Sequence, residues 1–166
     1  SRRYAVMLGA TAEFNKKEGV AYDDVRNRLY FAVSRIEKAM QPEKGKGIAA
    51  DHIRLTANRC GAVFAADLKA DTSINSDYVI GELYPLVLGR PLAESQVAGR
   101  KTDLCDPDRM AEPDNIAFLP GSDLLFIAED ADDGHSLNFL WSYNVRTGNF
   151  RRLLHGPRGA EITSPS

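Results

Sequence analysis

The chain has 166 residues, of which 43% are hydrophobic and 27% are charged, and its formal net charge is −2. This is the composition of an ordinary globular protein of about one domain, and the small negative charge gives no bulk attraction for nucleic acid or anionic lipid. No apolar run approaches the roughly 20 residues that a membrane-spanning helix needs.

The first twelve residues, "SRRYAVMLGATA", allow two interpretations. Two arginines before an apolar run are typical of a twin-arginine export signal. The apolar run over residues 5–12 is short, however, and charged residues follow it at once. We therefore expect a strand that enters the domain.

Residues 20–34 predict two short strands joined by a turn. "VAY" and "LYFAVS" are rich in aromatic and β-branched residues, and "DDVRNR" between them has the composition of a tight turn. Segment 36–59 is charged and has little periodicity, so it predicts a surface insertion with one helical turn before Pro42.

Two further strands are predicted at residues 61–68 and 78–89, and Gly81 and Pro85 interrupt the second of them. Residues 90–112 are polar and irregular. This segment predicts a second long connection.

Residues 115–130 repeat the pattern of residues 19–34 without a gap. The matching positions are Val20, Ala21, Tyr22, Leu29, Tyr30, Phe31 and Ala32 in the first copy and Ile116, Ala117, Phe118, Leu125, Phe126, Ile127 and Ala128 in the second. The segments 137–145 and 149–156 predict two more strands after the second copy. Four antiparallel strands in roughly 45 residues are typical of one propeller blade.

The sequence therefore predicts an all-β fold of two antiparallel four-stranded blades in a partial ring. The predicted division of the single propeller fragment 1–166 is a first blade at 18–92 with the insertion 36–59, a connection at 93–112, a second blade at 113–158 and the start of a third at 159–166. Because a ring usually has about four to eight blades, we expect a fragment of a longer protein, a section ordered inside a larger assembly, or a small sandwich derived from blades.

An acidic residue precedes each copy of the repeat: Glu18 in "KEGV" and Asp114, followed by Asn115, in "PDNI". Glu161 in "GAEIT" occupies the same place after the second blade. In a propeller these positions lie at the mouth of the central channel, where clustered carboxylates repel one another and a hard cation such as Ca²⁺ relieves the conflict. The pattern predicts a metal site, and the alternative is that each carboxylate caps a turn or meets a surface lysine.

Lys16 lies two residues before Glu18 and shares its face of a strand. It is either a contact for an anionic oxygen or a solvated lysine, and the residues alone favour the second. Residues 129–135, "EDADDGH", lack the spacing of an EF-hand, so we expect a solvated loop, with Asp130 at the end of a strand as its one candidate.

Cys60 and Cys105 are 45 residues apart and belong to no CxxC pair, so we expect them to be unpaired. The three histidines share no spacing, which gives no indication of a zinc site. Phe139 and Trp141 alternate as blade-packing residues do.

Four segments together resemble the PhoX-type alkaline phosphatase family: "GATAEFNKKEGVAYDD", "NRCGAVFAADL", "EPDNIAFLPGSDLLFIAED" and "GPRGAEITSP". They follow its C-terminal half in order and spacing over nearly the whole chain. The resemblance implies a six-bladed propeller that hydrolyses phosphomonoesters at a calcium–iron cluster and is exported, to the periplasm, the exterior or a comparable lumen. It makes Glu18, Asp114 and Glu161 metal ligands, with Asn115 a possible ligand beside them, and it places Lys16 where the family tends to have a phosphate-contacting arginine.

The chain departs from the family in two respects. Lysine keeps the charge of the arginine and loses its planar two-point grip. The family's N-terminal half, which carries further ligands including a cysteine for iron, has no counterpart in this sequence. Three hypotheses follow: a fragment of a metal-dependent phosphatase, a non-catalytic interaction or structural module that docks onto protein partners through 36–59 and 90–112, and a calcium-stabilised structural domain.

Overall fold

The computed structural model describes residues 2–44 and 52–163. Across these residues the chain forms two four-stranded antiparallel sheets, and in each sheet the strands follow one another in chain order. The strands are β1 (Lys17–Asp23), β2 (Arg28–Val33), β3 (Ala62–Asp71), β4 (Ser76–Leu88), β5 (Pro113–Phe118), β6 (Leu124–Glu129), β7 (Phe139–Asn144) and β8 (Phe150–His155). The predicted all-β fold of two four-stranded blades is confirmed.

Helical structure in the described residues is limited to α1 (Arg2–Met7), α2 (Glu94–Val97) and a 3-10 turn at Lys38–Met40. The turn confirms the helical turn expected before Pro42. The expected strand at the N-terminus is wrong: a helix closes its backbone hydrogen bonds within itself, whereas a strand would need a partner strand beside it. Within the described ranges, no helix is long and apolar enough to cross a membrane.

The inner hairpins of the two sheets have the same register. Val20 pairs with Phe31 in the first, and Ile116 pairs with Ile127 in the second, 96 positions further along the chain in both cases. Both hairpins have a β-bulge just before this pair. The repeat seen in the sequence is thus a repeat of backbone geometry.

One apolar core joins the two sheets. It buries Tyr30, Ala32, Val63, Ala65 and Val87 of the first sheet with Ile116, Phe118, Leu125, Ile127, Phe139 and Trp141 of the second, together with Met110 of the connection. The expected packing roles of Phe139 and Trp141 are confirmed, because both are buried there. Since β1 and β2 both contact β5, this packing places the starts of the two inner strands side by side.

A second, smaller core covers the other face of the first sheet. Ile36 and Met40 of the insertion are buried there against Phe64. The described part of the predicted surface insertion at 36–59 is otherwise exposed or half-buried. Its two buried apolar residues cover a sheet face that would otherwise meet water. Residues 45–51 of the insertion lie outside the described residues.

Cys60 and Cys105 form a disulfide, with their Cα atoms 6.0 Å apart. The expectation of unpaired cysteines is wrong. The connection after β4 turns back, so that Pro91 bridges to Cys105 and the Cys105 amide donates to the carbonyl of Gly134. This return brings Cys105 to Cys60, two residues before β3, a proximity that sequence spacing does not show.

Candidate functional site

A polar pocket of about 280 Å³ lies at the starts of the two inner strands. Its charged lining includes Lys16, Glu18, Arg35, Glu112, Asp114 and Asp130. The pocket therefore brings together Lys16, Glu18 and Asp114 with Asp130, the candidate named in the acidic loop.

The β-bulges explain why acids from different blades meet here. The register shifts between Lys17 and Val20 in one hairpin and between Pro113 and Ile116 in the other. Glu18 lies within the first bulge, and Asp114 occupies the same place in the second. A bulge interrupts the ladder and redirects the side chains of its residues, so both blades present a carboxylate from equivalent backbone.

The residues before the bulges match as well. Lys16 and Glu112 both have positive φ, 53° and 46°. The carbonyl oxygen of Lys16 accepts a hydrogen bond from the amide of Ser34 at 3.0 Å, and that of Glu112 accepts one from the amide of Asp130 at 3.3 Å. In this repeat the counterpart of Lys16 is Glu112, and the counterpart of Ser34 is Asp130.

The carboxylates of the site influence one another. Burial raises the pKa of Asp114, the charge of Asp130 adds to the rise, and Lys16 opposes it. The carboxyl group of Asp130 also raises the pKa of the exposed Glu161, and burial and the charge of Asp114 contribute further. Asp114, Asp130 and Glu161 thus form an acidic set in which repulsion is only partly offset.

The other predicted ligands are less involved. The side-chain amide of Asn115 donates a hydrogen bond to the Asp114 carboxylate. Glu18 lines the pocket as an exposed side chain. Over 2–44 and 52–163, no group of three or more His, Cys, Asp and Glu side chains is arranged to hold a metal ion. The ligand roles of Glu18, Asp114, Asn115 and Glu161 stay predictions, as does phosphate contact by Lys16.

Among the charged pocket residues not predicted from the sequence, Arg35 and Glu112 make the closest contact with each other. The Glu112 side chain is buried, and its Oε1 accepts a hydrogen bond from Nη2 of Arg35 at 2.6 Å. Burial raises the pKa of Glu112, while the amide of Asp132 and the charge of Arg35 oppose the rise. The repeat held a signal for Glu112, because it is the counterpart of Lys16 and lies two residues before Asp114.

The acidic loop at residues 129–135 is not solvated throughout, contrary to expectation. Glu129 and His135 are buried, and their side chains lie 3.0 Å apart. The Glu129 carboxyl group also accepts hydrogen bonds from the amide of Ala111 at 2.8 Å and from Nε1 of Trp141 at 2.7 Å. These bonds fix the end of β6 directly before Asp130.

The side-chain chemistry of the described acids, though not a ready ligand geometry, matches one of the two metals that the resemblance implies. Carboxylate oxygens, such as those of Asp114, Asp130 and Glu161, are the ligands that Ca²⁺ prefers, and a cation would relieve their repulsion. Iron held by a cysteine thiolate does not fit this chain, because both of its cysteines, Cys60 and Cys105, are in the disulfide.

Comparison with solved structures gives a similarity to PhoX from Pseudomonas fluorescens, determined in complex with vanadate, a transition state analogue. The TM-score is 0.63 at 20% sequence identity, and the match covers 95% of this chain and 27% of that one. The fold of this chain is PhoX-like. It spans about a quarter of the length of the PhoX chain. No family model matches the sequence, and no curated protein matches it either.

Proposed function

We propose that this chain is part of a PhoX-like, calcium-dependent phosphatase that hydrolyses phosphomonoesters, and that it supplies one side of the metal site. The observation that supports this is the polar pocket at the starts of the inner strands, which brings Glu18 of the first blade together with Asp114 and Asp130 of the second. Vanadate as a transition state analogue in the PhoX structure accords with phosphoryl chemistry for the shared fold.

In this proposal Glu18, Asp114 and Glu161 hold calcium, with Asn115 beside them and Asp130 as a further carboxylate of the site. The Asn115 amide donates to Asp114 and so orients that carboxylate, which leaves the amide oxygen of Asn115 for a cation. Lys16 offers three N–H donors to a phosphate oxygen. Bound cations would neutralise phosphate charge and polarise the attacking oxygen.

Export is part of the proposal. The Cys60–Cys105 disulfide supports it, since disulfides persist in oxidising compartments such as the periplasm or the cell exterior. The iron of the resemblance would be held by residues outside this chain.

The experiment measures metal content and hydrolysis of p-nitrophenyl phosphate by the protein in its longest native form, with calcium and after chelation. We expect bound calcium and turnover that is lost with the chelator and restored by added calcium. Asp114→Asn and Glu161→Gln should each weaken calcium binding about tenfold or more, since each removes one charged ligand. Glu94→Gln, an exposed acid on α2, is the matched control and should behave as wild type. Turnover that survives complete removal of calcium would contradict the proposal.

The second candidate is a non-catalytic interaction module of a larger complex. It is favoured by Lys16 at the place of the family's arginine and by the disulfide, which leaves no thiolate for iron. Docking would use the exposed residues of the two long connections. Met40 in one connection and Met110 in the other are buried in the apolar cores and would not take part. A folded full-length protein with no bound metal and no turnover would select this candidate.

A further inference from the structure

An ion pair between Arg35 and Glu112 crosses from one sheet to the other inside the pocket. Arg35 lies two residues after β2, and Glu112 directly precedes β5. The proposed function gives neither residue a role, although both line the pocket that holds Lys16, Glu18 and Asp114.

Glu112 fixes the loop after β6 at two points. Its carbonyl oxygen accepts a hydrogen bond from the amide of Asp130, and its Oε2 accepts one from the amide of Asp132. Its Oε1 accepts the bond from Arg35. One buried residue thereby sets the position of the strand that carries Asp114 relative to the loop that carries Asp130.

Arg35 and Lys16 interact with different carboxylates: Arg35 with those of Glu112, Asp132 and Asp133, and Lys16 with that of Asp114. Its Nη2 lies 2.6 Å from Glu112, 3.5 Å from Asp132 and 3.3 Å from Asp133. Burial lowers the pKa of Arg35, but these carboxylates raise it by more. Its charge is therefore balanced by carboxylates other than Asp114.

The Arg35–Glu112 ion pair by itself is expected to contribute little to the free energy of unfolding. A partly buried ion pair is often replaceable by apolar residues at no cost, because desolvation offsets the attraction. Its distinctive contribution is geometric, since the planar guanidinium and the buried carboxylate fix directions that apolar contacts do not.

We propose that Arg35 and Glu112 are positioning residues of the calcium site. They bind neither cation nor substrate, and they hold the Asp130 loop against Asp114 across the two blades. This inference rests on the proposed function, because the quantity that the ion pair would control is the affinity of the proposed site for calcium.

The test uses the full-length native protein and the variants Arg35→Met, Arg35→Lys and Glu112→Gln. The matched control is Arg59→Met, because Arg59 also binds Asp133, at 2.9 Å, and is not part of the pocket lining. Calcium binding is measured by calorimetry with calcium alone. Turnover of p-nitrophenyl phosphate is then measured as a function of calcium concentration, at temperatures where each variant is folded.

We expect Arg35→Met and Glu112→Gln to raise the half-saturating calcium concentration about tenfold, the lower end of an outer-shell effect, because both loosen the side-chain anchor at Asp132 that holds the Asp130 loop. Turnover at saturating calcium should stay close to wild type, Arg35→Lys should restore part of the affinity, and Arg59→Met should leave it unchanged. If Arg35→Met does not fold, Arg35→Lys and Glu112→Gln decide the question.

Equal calcium affinity in the Arg35, Glu112 and Arg59 variants would overturn the inference and leave the proposed function standing. A large loss of turnover at saturating calcium with unchanged affinity would also overturn it, because Arg35 would then touch the substrate. If the wild-type protein binds no calcium, the proposed function fails, and the inference fails with it.

Discussion

The inner and outer halves of the two blades differ in how closely they match. The hairpins β1–β2 and β5–β6 share register, bulge and positive-φ residue. The outer strands do not match: β3 and β4 have 10 and 13 residues, whereas β7 and β8 have six each. The half that carries Glu18 and Asp114 thus repeats the same geometry in both blades, and the other half does not.

Equivalent residues of the two inner strands, β1 and β5, differ in how far they are buried. Ile116 and Phe118 of β5 are 8% and 9% exposed, whereas their counterparts Val20 and Tyr22 of β1 are 64% and 43% exposed. The first sheet covers the face that bears Ile116 and Phe118. In the described part of the chain no sheet covers Val20 and Tyr22, so one pattern of residues gives a core in one blade and an open face in the other.

Replacing Glu129 should give the largest loss of stability among equivalent positions of the two blades, since its counterpart in the first blade is the buried, apolar Val33. Glu129→Val would leave Nε1 of Trp141 and the amides of Ala111 and Phe139 without their acceptor. We expect the free energy of unfolding to fall by about 4 kcal/mol, because several buried donors lose their partner at once. Urea unfolding measures it, with Glu129→Gln as the control that keeps one acceptor and loses less. A loss under about 1 kcal/mol would mean that those donors reach water.

Substitution of Gly19 should give the next largest loss in the free energy of unfolding. A Cβ at this position would lie 2.7 Å from the carbonyl oxygen of Asp114 and 2.8 Å from the amide nitrogen of Ile116. Gly19→Ala should therefore cost about 2 kcal/mol, since backbone of the neighbouring strand has to move. Its counterpart Asn115 already bears a side chain, and Asn115→Ala should cost about 1 kcal/mol or less, the value of one hydrogen bond. Thermal unfolding of both variants measures this difference, and equal costs would show that the two inner strands approach less closely than the structure has them.

Substitution of Asp123 should give the smallest change, which is in the pH dependence of stability. Its counterpart, Asn27, donates to backbone carbonyls, whereas Asp123 pairs with Arg146 and Arg26. These two arginines hold the pKa of Asp123 below its usual 3.8. At a pH near this pKa, Asp123 therefore binds more protons in the unfolded chain than in the folded protein. The stabilisation by its ion pairs is present above about pH 4 and is lost as the pH falls through the lowered pKa. Unfolding measured at decreasing pH should show a weaker acid dependence in Asp123→Asn, and an unchanged dependence would mean that the pairing is absent in solution.

The sequence predicted the parts of the fold that depend on local pattern. Apolar positions and turn residues sufficed to align Val20 with Ile116, and with them the strands and the acidic position before each. The disulfide escaped prediction because it depends on the path of a connection without periodicity. Arg35 escaped because its importance comes from contacts with residues about 80–100 positions away, and such contacts depend on how the sheets pack.

The disulfide has a consequence for the folding of the second blade. It closes a covalent loop that contains the whole β3–β4 hairpin and ends in the connection before β5. The amide of Glu112 donates to the carbonyl of Cys60, so the residue that begins the second blade is tied to the first at the same point. Once the loop has closed, the second blade folds from an anchored end, and its conformational search is correspondingly smaller.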